Sequence, residues 1–312
     1  METQLKSRKR EYQVKDSLVK PLLEIVNVKP EEDELIQKLA EEKKVALIAF
    51  IAPYIPVRIS PVEETSATIG MPDEFGIEIL IELLESAGIT EAYLLINSPG
   101  GAMSSAYKIA RAIRDYLKKI TAFVPHIAAS GGTMFALSGN EIVMGPMSHL
   151  TPLDVQIGYK GTIISAGTFM RFFTRSSHWF EKLKPDEAPY PQRALADKLD
   201  PFLMEEWSGY METAISYAQE VLSMSGYKNA DEIAQKLVLM FSSHSFVITK
   251  DLAKDIGLNV RSHEDYKDVW DLMRLWLSKY IFKEEITHCI RYALPIPEKK
   301  ENKREAKNAS AK

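Results

Sequence analysis

Short apolar runs alternate with amphipathic segments through the middle of the chain. Val45–Ala52 and Ala92–Asn97 are continuous apolar runs of strand length. Thr121–Ala128 and Glu141–Met144 follow as shorter candidate strands, and apolar residues recur at helical spacing between the runs. Strands that alternate with helices form layered structures. The pattern therefore predicts an α/β fold with a largely parallel sheet and right-handed crossover connections.

The later part of the chain is richer in helical patterns. Asp200-Pro201 predicts the start of a long helix, because aspartate is a favoured N-cap and proline suits the first turn. Phe241–Ile248 is a further candidate strand. Between 264 and 280, aromatic and aliphatic residues share one helical face, which we interpret as a packing surface within the fold or against a second copy of the chain.

Changes in polarity along the chain predict the domain organisation. Residues 1–40 are charged and predict a partly helical arm. The main domain is expected over 41–262, and within it the mixture of aromatic, charged and proline residues at 159–200 predicts a lid-like insertion. Residues 263–296 form a predicted helical extension, and the Lys/Glu-rich stretch 297–312 predicts a disordered tail.

Composition narrows the classes of partner and cofactor. The net charge of −4 favours neither nucleic acid nor an anionic membrane as a partner. Cys289 is the single cysteine, and the six histidines are scattered without a His-Glu-x-x-His motif, so we expect no metal and no cofactor. The apolar run at 45–57 is shorter than the about 20 residues that span a bilayer. We expect a cytoplasmic protein, with peripheral membrane association left open.

Two glycine-rich turns follow successive predicted strands. Ser98-Pro99-Gly100-Gly101 comes after one strand, and Ser130-Gly131-Gly132 comes after the next. The carboxyl ends of neighbouring parallel strands lie at the same edge of a sheet. We therefore expect Gly101 and Ser130 to face one another across a cleft.

The residue types at these turns suit acyl-transfer chemistry. Ser130 is the candidate nucleophile, and the N–H groups of Gly101 and Gly131 are unshielded candidates for the two donors of an oxyanion hole. Each motif alone is also ordinary turn chemistry. Neither matches a phosphate-binding loop, and Ser130 does not stand in the Gly-x-Ser-x-Gly motif of α/β-hydrolases.

The two motifs together resemble a known group of peptidases. The segment 96–101 (INSPGG) is similar to a stretch of the Clp protease proteolytic subunit and of signal peptide peptidase A. The segment 124–158 resembles the serine dehydrogenase proteinase family, a branch of the signal-peptide-peptidase-like enzymes, and the similarity extends over about 45–260. It implies a Clp/crotonase-like fold of repeated β-β-α and βαβ units, with helical extensions at both ends.

The same resemblance implies a function. It assigns Ser130 as the nucleophile of a serine endopeptidase and Gly101 and Gly131 as oxyanion donors. A polypeptide substrate and a homo-oligomer are implied as well. Two alternatives stay open: a catalytically inactive relative that acts as an assembly or adaptor protein, and a crotonase-type acyl-CoA enzyme, which would hold a thioester enolate with the same amides.

The general base is the least determined residue. Clp subunits use a Ser-His-Asp triad, but the corresponding position here is near Leu153 or Asp154, and His149 stands four or five residues too early. Signal peptide peptidases use a lysine, which the resemblance places near Lys182 or Lys184. A lysine acts as a base only where dry surroundings or a neighbouring cation lower its pKa. Lysine is the favoured base at this point.

A third arrangement involves two residues far apart in the chain. Asp154 resembles an aspartate in the Gly-Pro-Ile-Asp-Pro-Gln pattern of the serine dehydrogenase proteinases, although Thr151 and Val155 depart from it. His244 resembles the histidine of a Thr-His-Asp run in that family, here flanked by serines. With Ser130 they would complete a triad, an arrangement defined by geometry and not by spacing.

Overall fold

The structure is a computed structural model. It describes residues 28–53, 57–58, 64–65, 67–159, 161–180, 184, 187, 189–196, 200–283 and 287–296. All structural statements concern these residues. Lys182 and the predicted tail at 297–312 lie outside them.

The centre of the molecule is a seven-stranded sheet with the spatial order β1-β13-β2-β5-β6-β8-β12. Its strands are β1 (Val28–Pro30), β2 (Ala46–Ile51), β5 (Glu91–Asn97), β6 (Lys119–Val124), β8 (Glu141–Met144), β12 (Val260–Ser262) and β13 (Cys289–Ala293). The short strands are β3 (Val57–Arg58), β4 (Glu64–Thr65), β7 (Ile127–Ala128), β9 (His149–Leu150), β10 (Gln156–Tyr159) and β11 (Thr162–Ser165). Neighbours in the large sheet run parallel, except that β13 is antiparallel to β2. The predicted α/β class with a largely parallel sheet is confirmed.

Helices cover both faces of this sheet. They are α1 (Glu34–Lys43), α2 (Met71–Ala87), α3 (Met103–Tyr116), α4 (Gly131–Ala136), α5 (Ala166–Phe180), α6 (Tyr190–Ala196), α7 (Pro201–Met224), α8 (Ala230–Leu239), α9 (Lys250–Ile256) and α10 (Lys267–Tyr280). The larger apolar core lies between the sheet and α2, α3, α4, α7, α8 and α9. A smaller core lies on the other face under α1 and α10.

The apolar runs that mark the strands follow from this double coverage. In β2 all six residues are buried. Ile48 and Phe50 face the larger core, while Leu47 and Ile51 face the smaller one. A strand covered on both faces has no solvent side and reads as a continuous apolar run. This is why the central strands were visible in the sequence.

Both ends of the described chain belong to the main body, whereas the sequence predicts an N-terminal arm and a C-terminal helical extension. β1 pairs with β13, and Ile36 and Leu39 of α1 are buried in the smaller core, so residues 28–40 belong to the main body. Likewise β13, in the predicted helical extension, lies inside the sheet between β1 and β2. These strands have three and five residues, which is too short for a periodic signal.

Two predicted segments also have a different local structure. The segment 159–200, predicted as a lid-like insertion, contains β11, α5 and α6, and β11 forms an antiparallel hairpin with β10. The candidate strand at 241–248 is a loop whose ladder contact is a single bridge between Leu150 and Ile248. Among the described helices, none is long and apolar enough to cross a bilayer.

Candidate active site

The two glycine turns lie directly against each other at the carboxyl edge of the sheet. Ser98 donates its N–H to the carbonyl of Ile127 (3.0 Å), and its own carbonyl accepts from the N–H of Ala129 (2.9 Å). The contact is so close that a Cβ built on Gly100 would lie 2.9 Å from the nitrogen of Gly131. Gly101 and Gly131 are also near each other, since a Cβ on Gly131 would lie 3.3 Å from the nitrogen of Gly101.

Ser130 occupies a strained backbone conformation between β7 and α4. Its φ is 49° and its ψ is −113°, a region that residues other than glycine rarely adopt. Such strain persists only where the surroundings hold it, and it clusters at functional sites. The N–H of Ser130 donates to Oγ1 of Thr151 (2.9 Å), which supplies part of that hold.

The Ser130 side chain is mostly buried at this turn. The residue is 8% exposed, and its hydroxyl has no hydrogen-bond partner among the residues that the structure describes. The hydroxyl of Thr133, the third residue of α4, lies within hydrogen-bond distance of the carbonyls of Ala128 (2.7 Å) and Thr151 (2.8 Å). The backbone around Ser130 is therefore fixed while its hydroxyl is left available.

The amides of Gly101 and Gly131 are free to bind an anion. Gly131 is the first residue of α4, where an N–H has no partner within the helix. The residues on both sides of Gly101 are hydrogen-bonded to Ile69. The carbonyl of Gly100 accepts from the N–H of Ile69 (2.7 Å), and the N–H of Ala102 donates to the carbonyl of Ile69 (2.9 Å). Within the described ranges, neither glycine N–H has a backbone acceptor.

Glycine is required at position 101. Its φ is +153°, and a Cβ at this position would lie 2.3 Å from the nitrogen of Ile69. Real Cβ atoms do not approach backbone that closely. The turn thus needs a residue without a side chain in order to press against Ile69 and present its N–H.

Asp154 and His244 are brought together although 90 residues separate them. Asp154 is 5% exposed; its Oδ1 accepts from the hydroxyl of Ser165 (2.7 Å). Its Oδ2 is buried without a hydrogen bond from any described residue, and Nδ1 of His244 lies 3.9 Å away. The same Nδ1 is 3.1 Å from the backbone carbonyl of Asp154. When Nδ1 carries the proton that this carbonyl accepts, Nε2 has a free lone pair.

The other candidate bases have different surroundings. The side chain of Lys184 is 77% exposed, and its Nζ lies 3.9 Å from Oε1 of Glu187. That position is solvated, in contrast to the expected dry setting. His149 is half-buried in β9, where burial and the neighbouring His126 lower its pKa.

Thr151 is the neighbour of Ser130 that sequence reasoning missed. In the sequence, Thr151 is notable only because it differs from the Gly-Pro-Ile-Asp-Pro-Gln pattern. In the structure, its hydroxyl accepts a hydrogen bond from the N–H of Ser130. The contact joins residues 21 positions apart, so no local pattern could reveal it. Asp154 follows three residues later, so the segment that contacts the Ser130 backbone also carries the aspartate of the Asp154–His244 pair.

Metal ligands are not grouped in the described part of the chain. No set of three or more histidine, cysteine, aspartate or glutamate side chains there could hold a metal ion. The groups available at the two turns are the Ser130 hydroxyl and two backbone amides, and the Asp154–His244 pair begins three residues after Thr151.

Comparison with known proteins identifies relatives of this site. Residues 78–168, which include both turns and Asp154, match the family model described as ClpP-like SDH-type serine proteinase. The resemblance drawn from the sequence is confirmed over this segment. Two uncharacterized proteins of Methanocaldococcus jannaschii are each 27% identical over 216 residues, covering 69% and 67% of this chain. The chain spans 65% of the length of each of these relatives.

Two solved structures have low similarity to this chain. A membrane-bound stomatin-specific protease is 19% identical, with 65% of this chain and 78% of that chain covered and a TM-score of 0.43. An enoyl-CoA hydratase/isomerase family member is 11% identical, with 75% and 76% covered and a TM-score of 0.33.

Proposed function

We propose that this protein is a serine endopeptidase in which Ser130 attacks the carbonyl carbon of a peptide bond. The observation that carries the proposal is the strained Ser130 turn with two free glycine amides beside it. The match of residues 78–168 to a serine proteinase family supports the reaction class. The amides of Gly101 and Gly131 would donate to the oxyanion of the tetrahedral intermediate.

We further propose that His244 is the general base and that Asp154 orients it. Nε2 of His244 would take the proton from the Ser130 hydroxyl during attack and return it to the leaving amine. The contact of Nδ1 with the Asp154 carbonyl and the nearby Oδ2 supports this tautomer. The loop that carries His244 is anchored beside Thr151 by two backbone hydrogen bonds between Leu150 and Ile248, of 3.0 and 2.9 Å.

The structure gives less support to a lysine as the general base than the sequence does. Lys184 is exposed and paired with Glu187, and the position of Lys182 lies outside the described residues. Replacing each lysine by alanine is therefore part of the test of His244. Full activity in both variants supports the histidine base.

The acyl-CoA alternative makes a different demand on the turns. A thioester enolate needs catalytic acids close to the two amides, whereas Ser98–Ala102 and Ala129–Gly132 contain no acidic residue. It also gives no reason for a strained serine at 130. The adaptor alternative predicts a folded protein with an unreactive serine.

Labelling with a fluorophosphonate separates these functions. We expect wild type to label at one site and Ser130→Ala to lose the label. Ser138→Ala is the matched control, because its hydroxyl donates to the nearby Phe135 carbonyl (2.7 Å). A folded wild type that never labels, or a label that persists in Ser130→Ala, contradicts the peptidase proposal.

The polypeptide substrate, homo-oligomeric assembly and peripheral membrane association are also proposals. Cleavage of an unfolded protein substrate tests the first. Sedimentation velocity of the full chain tests the second, and co-sedimentation with anionic lipid vesicles tests the third. The prediction of a cytoplasmic location follows from composition alone and stays a prediction.

A further inference from the structure

A second Ser-His-Asp set lies buried beneath the Gly100–Gly101 turn. Nε2 of His288 is 2.9 Å from Oγ of Ser98, and its Nδ1 is 3.2 Å from Oδ1 of Asp73. Each of the three residues is at most 4% exposed. The imidazole also stacks on the ring of Phe50, with centroids 4.1 Å apart and planes inclined by 22°.

The hydrogen-bond roles in this set follow from the partners. A carboxylate only accepts hydrogen bonds, so we assign the ring proton of His288 to Nδ1, which faces Asp73. This contact is short but bent, and it falls short of a well-aligned hydrogen bond. Nε2 then accepts from the Ser98 hydroxyl, whose oxygen in turn accepts from the N–H of Gly100 (3.1 Å).

The chain of contacts closes around Gly101. Oδ2 of Asp73 accepts from the N–H of Gly70 (2.9 Å), and Ile69 precedes Gly70. Ile69 is bonded on both sides of Gly101, through the carbonyl of Gly100 and the N–H of Ala102. The imidazole therefore lies between the Ser98–Gly101 turn and the start of α2 at Asp73, and it contacts both. Within this set of contacts, the N–H of Gly101 has no backbone acceptor among the described residues.

We propose that His288 is a positioning residue that sets the Gly101 amide for the oxyanion, acting through Ser98 and Asp73. The inference rests on the proposed peptidase function. It assigns no catalytic contact to His288, because the imidazole is closed off from solvent and from any substrate. An oxyanion donor acts only when it lies about 2.7–3.1 Å from the developing charge. A small displacement of the turn therefore lowers the rate of the chemical step more than substrate binding.

The burial of this polar set supports a role beyond packing. Burying an imidazole, a carboxylate and a hydroxyl is unfavourable unless they satisfy one another. An apolar side chain beside Phe50 would fill the space without that penalty. The polar set instead holds two backbone segments in one relative position.

The test compares His288→Phe with two further variants. His288→Phe keeps an aromatic ring beside Phe50 and removes both polar contacts. We expect kcat to fall about 10- to 100-fold, less than the about 100- to 1000-fold for loss of a whole donor. KM should change by less than about twofold. His288→Gln keeps an acceptor within reach of Ser98 and should recover part of kcat.

The control for general destabilisation is Met273→Ala on the other face of the sheet. Met273 is fully buried in the smaller core, so its truncation should destabilise the fold by about 2–5 kcal/mol. Below its melting temperature it should retain kcat. A His288→Phe variant with wild-type kcat, or one whose loss of kcat is matched by Met273→Ala, overturns the proposal.

Amide hydrogen exchange over residues 98–102 gives a readout that does not need activity. We expect faster exchange there in His288→Phe and unchanged exchange there in Met273→Ala. If wild type neither labels nor hydrolyses peptide, the proposed function fails and exchange alone decides the ordering role. Unchanged exchange at 98–102 in His288→Phe then overturns it.

Discussion

At the scale of single residues, the site depends on a serine whose backbone is held where serine rarely lies. Ser130 has φ 49°, and its N–H is held by Thr151. A strained conformation of this kind requires contacts that over-determine it. The hydroxyl of Thr151 is therefore as much part of the site as the groups that react.

Removal of that hydroxyl should slow the reaction. In Thr151→Val the N–H of Ser130 loses its buried acceptor, which destabilises the strained turn by about 1–3 kcal/mol. We expect the rate of fluorophosphonate labelling to fall about tenfold or more. Thr151→Ser keeps the hydroxyl and is the matched control. Equal labelling rates for the valine and serine variants would show that the contact does not hold Ser130.

Substitution of Gly101 should displace the proposed oxyanion donor. In Gly101→Ala the added Cβ meets backbone atoms of Ile69, so the turn must move away. We expect labelling to slow about 100-fold or more, as for loss of one oxyanion donor. Gly209→Ala is the control, because it lies in α7 with open space around it and should stabilise by about 0.5–1 kcal/mol. Labelling of Gly101→Ala at the wild-type rate contradicts the oxyanion assignment.

The assignment of the base predicts a contrast between histidine and lysine variants. His244→Ala should lower kcat about 100- to 10,000-fold, the usual contribution of a general base. Asp154→Asn should lower it as well, because the tautomer of His244 is no longer held. Lys184→Ala and Lys182→Ala should keep wild-type kcat in a peptide-hydrolysis assay. The reverse pattern, with activity lost in a lysine variant alone, would reinstate the lysine base.

At the scale of secondary structure, the central strands were predictable and the peripheral ones were not. The apolar runs at 45–52 and 92–97 became β2 and β5 within one residue at each end. Burial on both faces leaves such strands without polar alternation. β13 includes Arg291, whose guanidinium lies over the ring of Tyr280, so its pattern depends on a partner that lies elsewhere in the chain.

The residues of the candidate site also divide into those that a local sequence motif predicts and those that it does not. Ser130, Gly101 and Gly131 stand in local turn motifs that a sequence displays directly. His288 has no such signal, because it gains Ser98 and Asp73 as neighbours only through the fold, and Ser98 and His288 are 190 positions apart. Sequence reasoning named His244 as a triad candidate by resemblance, while its contact with Asp154 depends on a loop and not on the candidate strand at 241–248.

One helix start offers a test of local sequence signals. The Asp200 side chain accepts from the N–H groups of Phe202 (2.9 Å) and Leu203 (3.3 Å), as expected of an N-cap. Asp200→Ala should lower the free energy of unfolding by about 0.5–2 kcal/mol, measured by urea denaturation. Asp200→Ser retains a capping oxygen and should lie close to wild type. Indistinguishable stabilities for all three would mean that α7 does not depend on this cap.

At the scale of the whole molecule, pH acts on stability through a half-buried histidine. Burial and His126 lower the pKa of His149 from its ordinary value of 6.5. The unfolded chain then binds a proton at this histidine more readily than the folded chain does. The free energy of unfolding is therefore highest above pH 6.5 and decreases as pH falls below that value. In His149→Gln the free energy of unfolding should fall less steeply between about pH 7 and 5. Identical slopes in the two proteins would contradict this assignment.

The closed ring of contacts around Gly101 also bears on when the protein becomes active. His288 is synthesised 190 residues after Ser98, so a ribosome completes both glycine turns long before it delivers the imidazole. A nascent chain that already carries its reactive serine would lack the support for one amide. Under the proposed peptidase function, we expect chains that end before His288 to cleave themselves and their neighbours slowly.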